Sequence, residues 1–144
     1  MCFADSSAIV KLYSDEIGGA SVRELAAMYV SQLCRVEVPA ALWRKNRMGV
    51  VSTNDTRVLI RAFENDLFST SGPLVPIRTT AAVLDRAAIL LAAYALRAYD
   101  AVQLSTAGEA RGIDPTCGVF AAFDLDLRAA AADQGFHLLP AKLP

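Results

Sequence analysis

The sequence is poor in the residues that make up common metal and redox sites. It holds one histidine and three cysteines in 144 residues, and no two cysteines are closely spaced. Zinc sites in proteins usually combine cysteine and histidine ligands at short spacing, so such a site is not indicated. The cysteines, Cys2, Cys34 and Cys117, are expected to be buried free thiols.

Basic charge and long hydrophobic runs are also lacking. Lysine and arginine together number 14 against 15 acidic residues, which gives a net charge of -1 and disfavours nucleic-acid binding through a broad basic surface. The run AAILLAAYAL, residues 87–96, is well short of the roughly 20 residues that span a bilayer. The amino terminus lacks the long apolar segment of a secretory signal. We therefore expect no membrane association and a cytoplasmic location.

Several catalytic patterns are absent as well. The sequence has no G-x-S-x-G element, no P-loop and no G-x-G-x-x-G loop, so a serine hydrolase and the usual nucleotide-binding folds are not indicated. The single histidine, His137, falls in an apolar segment near the end, where we expect a structural role. Catalysis that needs a histidine base is therefore unsupported.

What the sequence does contain is an alternation of short apolar runs with longer helical patterns. This alternation is typical of an α/β protein with a mostly parallel sheet, and the length suits one domain over residues 1–144. Two prolines around residues 74–77 mark that strand as short or near an edge. The predicted strands are 2–4, 28–31, 74–77, 117–123 and 136–140; the predicted helices lie at 6–13, within 18–28, at 32–46, 56–68, 79–96, from 100 to about 112, and at 124–134.

Four acidic residues stand at related positions in this pattern. Asp5 and Asp124 each follow a strand and open a helix, and Asp100 opens a helix. Groups just beyond the carboxyl ends of parallel strands line a common crevice, so Asp5 and Asp124 are expected to converge there, whereas a helical element precedes Asp100. Glu37 lies among apolar neighbours in CRVEVPAAL, where an unpaired buried carboxylate would cost several kcal/mol. The sequence therefore predicts a four-carboxylate cluster.

Helix capping is the alternative interpretation of the same acids. Aspartate is a preferred N-cap residue, and D-A-V-Q, Asp100 to Gln103, resembles a capping box. Capping and metal binding are compatible, because a capping carboxylate keeps a second oxygen. Other acids lie in polar stretches and are expected to need only solvent, namely Asp15, Glu16, Glu24, Glu64 and Asp66.

A carboxylate cluster suits a hard divalent cation such as Mg²⁺. Two such ions about 3.5 to 4 Å apart activate water and stabilise the leaving oxygen of a phosphodiester, and no histidine is required. The segment WRKNR offers Arg44, Lys45 and Arg47 as contacts to phosphates. The alternative is a solvated helix end whose cations complement the helix dipole.

Four segments together resemble PIN-domain proteins, and more narrowly VapC-type toxins of bacterial toxin-antitoxin pairs. The segments are DSSAIVKLY, QLCRVEVPAALWR, LRAYDAVQLSTA and FAAFDLDLRAAAADQGF, and they cover most of the chain. The resemblance implies a three-layer α/β/α sandwich with a short, mainly parallel central sheet. It also implies an endoribonuclease dependent on Mg²⁺ or Mn²⁺, which often dimerises with a second copy and is neutralised by a small cognate antitoxin of VapB type.

The resemblance maps the four acids of the family's site onto Asp5, Glu37, Asp100 and Asp124. Ser7 and Asp126 are candidate supporting residues. The family commonly has threonine or serine two positions before the fourth acid, whereas this sequence has Ala122.

Two other functions stay open. Asp124 and Asp126 form a D-x-D pair that other Mg²⁺-dependent phosphohydrolases also use. A non-catalytic PIN-like module that binds RNA or protein is the second alternative.

Overall fold

The computed structural model describes residues 1–144 and contains five strands and seven helices. In chain order the elements are β1 (Cys2–Ala4), α1 (Ser6–Tyr13), α2 (Gly19–Arg23), β2 (Met28–Ser31), α3 (Cys34–Arg47), α4 (Thr53–Phe68), β3 (Leu74–Ile77), α5 (Ala81–Ala93), α6 (Ala98–Ile113), β4 (Val119–Ala121), α7 (Leu125–Asp133) and β5 (His137–Leu139).

The five strands form one sheet in the order β3-β2-β1-β4-β5, and every neighbouring pair is parallel. Strand β1 is central, with Cys2 opposite Met28 on one side and Val119 on the other. The prediction of an α/β fold with a short, mainly parallel sheet is confirmed, and the sheet is in fact parallel throughout. Pro76 lies in β3, an edge strand, as a residue without an N–H group requires.

Helices cover both faces of the sheet, because side chains alternate between the faces along each strand. In β1, Cys2 and Ala4 belong to a core that α1 to α4 complete, whereas Phe3 belongs to the opposite core beneath α6 and α7. Phe3 and Phe120 stack across β1 and β4 with ring centroids 5.4 Å apart. The three-layer α/β/α sandwich is therefore confirmed.

Helix boundaries differ from the sequence prediction at several places. The helix predicted over 79–96 covers only Ala81–Ala93, because the Thr80 hydroxyl accepts a hydrogen bond from the Val83 amide and caps the first turn. The helix predicted within 18–28 is the short α2. Helix α3 continues through Pro39, although proline removes one helical hydrogen bond.

The three cysteines are buried and free, as predicted. Among the helices, none combines the length and the apolarity that crossing a membrane requires. His137 lies in the edge strand β5 and is exposed, so it is not part of the core, and its structural role stays a prediction.

Candidate active site

A cavity of about 590 Å³ lies at the carboxyl ends of the central strands. Here the order of the sheet changes direction, because β2 and β3 lie on one side of β1 while β4 and β5 lie on the other. Ligands of open parallel sheets bind at such a switch point. All four predicted acids line this cavity: Asp5, Glu37, Asp100 and Asp124.

Asp5 is the most buried of the four acids, at 5% relative exposure. It caps α1, and its Oδ1 accepts hydrogen bonds from the Ala8 amide at 3.1 Å and the Ser7 hydroxyl at 2.7 Å. Burial raises the pKa of Asp5 to about 7, although these hydrogen bonds act in the opposite direction. The protonated form of the buried Asp5 carboxyl is thus favoured more than it would be for an exposed aspartate.

Glu37 is held by two polar side chains from other helices. Its Oε2 accepts hydrogen bonds from the Ser6 hydroxyl and from Gln103 Nε2, each at 2.5 Å. Gln103 is only 2% exposed, and its Nε2 also lies 3.0 Å from Ser6 Oγ. These bonds offset the cost of placing a carboxylate between α1, α3 and α6. The sequence did not identify Gln103 as a site residue, since its partner is distant in the chain.

The capping-box interpretation of Asp100 is wrong. Helix α6 begins at Ala98 with Arg97 as its N-cap residue, so Asp100 lies in the first turn of the helix. The Gln103 side chain reaches Glu37 and Ser6, not the backbone at Asp100. Asp5 and Asp124, by contrast, do cap α1 and α7.

Arg97 bridges the two remaining acids of the cavity. Its Nε lies 3.0 Å from Asp100 Oδ2, and its Nη2 lies 3.3 Å from Asp124 Oδ2. The Arg97 side chain is 78% exposed, whereas that of Asp100 is 18% exposed. An exposed surface cation thus offsets part of the negative charge of two carboxylates that converge from α6 and α7.

The chemical type of the cavity's donor atoms suits a divalent cation, whereas their spacing in this structure does not. Carboxylate oxygens are the ligands that Mg²⁺ and Mn²⁺ prefer. However, no group of three or more acidic, histidine or cysteine side chains is arranged so that it could hold a metal ion. The guanidinium of Arg97 supplies positive charge between Asp100 and Asp124. A cation that binds both acids has to displace it.

Of the two candidate supporting residues, Ser7 lies at the cavity and Asp126 does not. The Ser7 hydroxyl donates to Asp5 and accepts from the Phe123 amide at 3.1 Å. It therefore connects the end of β1 to the segment that precedes Asp124, although Ala122 provides no hydroxyl there. Asp126 is exposed and lies outside the residues that line the cavity.

Of the three basic residues of WRKNR, two lie at the cavity and one does not. Arg44 and Lys45 line the cavity, whereas Arg47 is not among its lining residues. Lys11 and Glu16 also line it, and the expectation that Glu16 needs only solvent is wrong. Glu16 Oε2 lies 3.0 Å from Lys11 Nζ, and Glu16 Oε1 lies 2.5 Å from Lys45 Nζ.

Tyr99 supplies an exposed aromatic ring at the edge of the cavity, with 64% of its surface accessible. The sequence contains several aromatic residues but does not indicate which of them is exposed. An accessible ring beside a carboxylate cavity can stack on a nucleobase.

In a comparison with known protein families, the family model described as PIN domain matches residues 2–133. A search of curated proteins finds no match for the chain.

Proposed function

The chain belongs to the PIN-domain family, whose members are generally Mg²⁺-dependent nucleases, and on this basis we propose that it is an endoribonuclease that acts as the toxin of a toxin-antitoxin pair. The observation that carries the proposal is the convergence of four carboxylates on one cavity at the switch point of the sheet. They reach it from four different helices, α1, α3, α6 and α7, or from the residues that cap them.

In the proposed site, Asp5 and Asp100 are the principal ligands of Mg²⁺ or Mn²⁺, and Glu37 and Asp124 complete the ligand shell directly or through water. A metal ion held by these acids would supply an activated water and stabilise the leaving oxygen. The water oxygen would form a bond to phosphorus while the bond to the 3′ oxygen breaks and that oxygen takes up a proton, which leaves a 5′-phosphate and a 3′-hydroxyl.

The protein's own residues hold the acids and the RNA in place. Ser7 fixes one oxygen of Asp5, and Ser6 with Gln103 fixes one oxygen of Glu37. These contacts set the direction of each carboxylate before a ligand arrives. In this proposal, the phosphates of the bound strand are contacted by Arg44, Lys45 and Arg47. The ring of Tyr99 stacks on a base.

The proposed protein partner is a small antitoxin. An antitoxin arginine placed among the carboxylates would replace metal charge with side-chain charge. The contact of Arg97 with Asp100 and Asp124 supports this, since it demonstrates that these acids accept a guanidinium. Beside them, Val36 is 71% exposed at the cavity and offers apolar surface that a partner can cover.

The proposed homodimer rests on a different surface. Helix α5 exposes Leu84, Ile89 and Leu91, which are 49%, 71% and 43% accessible. Leu84 and Leu91 are seven residues apart and share one face of the helix, and apolar side chains grouped in this way are typical of contacts between protein chains. Sedimentation of the purified protein measures the oligomeric state directly.

Cleavage is tested with partner-free protein, a labelled structured RNA and Mg²⁺ or Mn²⁺. We expect the Asp100→Asn variant to lose more than about 100-fold in rate, because changes even to the partners of metal ligands cost up to that much. Asp85→Asn is the matched control, since Asp85 is exposed on α5 and outside the cavity. Equal rates for all three proteins would exclude the proposed site.

The second candidate function is a PIN-like module that binds RNA without cleaving it. The observation in its favour is that no three carboxylates are arranged as a metal-ligand group. RNA binding without metal-dependent cleavage by the wild-type protein would favour this candidate. A phosphohydrolase that uses the D-x-D pair is less well supported, because Asp126 lies outside the cavity. A loss of activity in Asp126→Asn would support this function.

A further inference from the structure

The cavity has a basic end opposite its acidic end. Helices α1 and α3 run in the same direction along it, since contacts join them at both ends: Ser6 with Glu37 near their starts, and Lys11 with Lys45 through Glu16 near their ends. At 1.5 Å per residue, Lys11 lies about 9 Å along the helix axis from Asp5. The two ends are therefore separate groups of charges in one groove.

Glu16 holds the basic end together. It bridges Lys11 and Lys45, and its Oε1 also accepts a hydrogen bond from Ser14 at 2.6 Å. Burial alone would raise the pKa of Glu16, but the bonds from Lys45, Ser14 and Lys11 outweigh it and lower the pKa to about 2. Glu16 is thus an anion under all ordinary conditions.

The two lysines are more enclosed than ordinary surface lysines. The side chains of Lys11 and Lys45 are 14% and 25% exposed. Lys11 is further fixed by the carbonyl of Ile17 at 2.9 Å and by the ring of Phe123, whose centroid is 4.5 Å from Nζ. Such fixed ammonium groups lose little freedom when an anion binds them.

Helix-dipole complementarity explains cations at the ends of α1 and α3, but it does not explain their grouping. The helix dipoles account neither for the carboxylate of Glu16 between the two lysines nor for the position of both lysines in one cavity. Arg44 lines the same end and forms no salt bridge in the structure. With three cations and one carboxylate, this end of the cavity keeps a surplus of positive charge.

We propose that Lys11, Lys45 and Arg44 form a binding site for a backbone phosphate next to the one at the acids, and that Glu16 occupies the place of this phosphate until a nucleic-acid strand enters. Two oxygens of Glu16 bind two ammonium groups, and two oxygens of a phosphate can do the same. This inference rests on the proposed function, because it assumes that the cavity receives a nucleic-acid strand. It adds an internal competitor that sets the affinity for the substrate.

The first test is fluorescence anisotropy with a labelled single-stranded RNA in EDTA at low salt, where binding is measured without cleavage. We expect Glu16→Gln to bind about fivefold more tightly than the wild type, since an ion pair of about 1 kcal/mol no longer has to be broken. Glu109→Gln is the matched control, because Glu109 pairs with Arg86 outside the cavity. Unchanged or weaker binding by Glu16→Gln would overturn the proposal.

The second test removes a lysine and does not depend on how Glu16→Gln folds. We expect Lys45→Gln to weaken RNA binding and to reduce the slope of log affinity against log salt by about 0.7. Lys142→Gln, which changes an exposed lysine outside the cavity, should leave both quantities unchanged. Equal effects of the two variants, or no binding by any protein, would contradict the phosphate site.

The two proposals fail in different ways. If the RNA is cut but the Glu16 and Lys45 variants bind RNA like their controls, the proposed phosphate site is wrong and the proposed nuclease function is supported. If the variants differ from their controls as expected but no RNA is cut, the phosphate site belongs to a binding module.

Discussion

At the scale of single residues, Arg97 is the cation with which a metal ion would compete for the acids of the cavity. Its guanidinium contacts Asp100 and Asp124, and it is well exposed to solvent. An exposed arginine is easily displaced, since surface ion pairs contribute only about 0.2 to 1 kcal/mol. Arg97 would therefore reduce the affinity of the proposed site for metal without preventing binding.

Replacement of Arg97 by glutamine should strengthen metal binding. We expect up to about fivefold tighter Mn²⁺ binding, measured by titration calorimetry, because the metal no longer competes with the guanidinium. Arg57→Gln is the control, since Arg57 is exposed on α4 and forms no salt bridge. Weaker binding by Arg97→Gln would mean that the arginine organises the acids.

Glu16 predicts a specific dependence of stability on pH. Its pKa is about 2 in the folded protein against an ordinary value of 4.5, so the folded state binds the proton less readily than the unfolded state. The stability that Glu16 contributes is therefore complete above pH 4.5 and declines as the pH falls toward 2.

Urea unfolding at several pH values measures this contribution. Glu16→Gln should be less stable than the wild type at pH 7, by about 1 kcal/mol, and the difference should narrow below pH 4.5. A difference that is constant from pH 7 to pH 3 would mean that the ion pairs of Glu16 do not cause it.

The sequence identified the four acids but not the residues that organise them. Asp5 and Asp124 were recognisable because each follows a buried strand and opens a helix, and this position determines where a side chain points in a parallel sheet. Gln103, Glu16 and Arg97 each contact at least one partner that is distant in the chain. Their roles depend on how helices pack, which no local pattern records.

At the scale of elements, the first three strands were predicted with their observed bounds, whereas β4 and β5 were predicted too long at both ends. The strands β1, β2 and β3 have the predicted bounds, because short apolar runs must be buried in the sheet. Helix α5 was predicted too long at both ends. The apolar pattern extends past the helix, whereas capping by Thr80 determines where the first turn begins.

The start of α5 can be tested with two adjacent threonines. Thr80→Ala should destabilise the protein by about 1 kcal/mol, since the Thr80 hydroxyl caps the helix. Thr79→Val should be nearly neutral or stabilising, because the buried Thr79 hydroxyl has no hydrogen-bond partner. Thermal or urea unfolding measures both. A larger loss of stability for Thr79→Val than for Thr80→Ala would mean that Thr80 is not the residue that caps the helix.

At the scale of the whole molecule, the cavity depends on elements from both halves of the sandwich. Asp5 and Glu37 belong to the layer of α1 and α3, while Asp100 and Asp124 belong to the layer of α6 and α7. A cation bound by acids from both layers would hold the layers together. Metal binding should therefore stabilise the entire fold.

Thermal unfolding with and without Mg²⁺ tests this coupling. At Mg²⁺ concentrations about 100-fold above Kd, binding stabilises the folded state by about 2.7 kcal/mol, which raises Tm by several degrees. Asp100→Asn should lose most of this increase, whereas Asp85→Asn should retain it. A Tm of the wild type that does not respond to Mg²⁺ or Mn²⁺ would argue against the metal site.

The central position of β1 has a consequence for the order in which the protein is completed. Cys2 pairs with Met28 nearby in the chain, but its other neighbour in the sheet is Val119. A growing polypeptide can add β2 to β1 early, whereas β4 leaves the ribosome later. Asp5 cannot meet Asp124 before then. A chain in which β4 has not yet formed would thus lack a complete set of acids at the cavity.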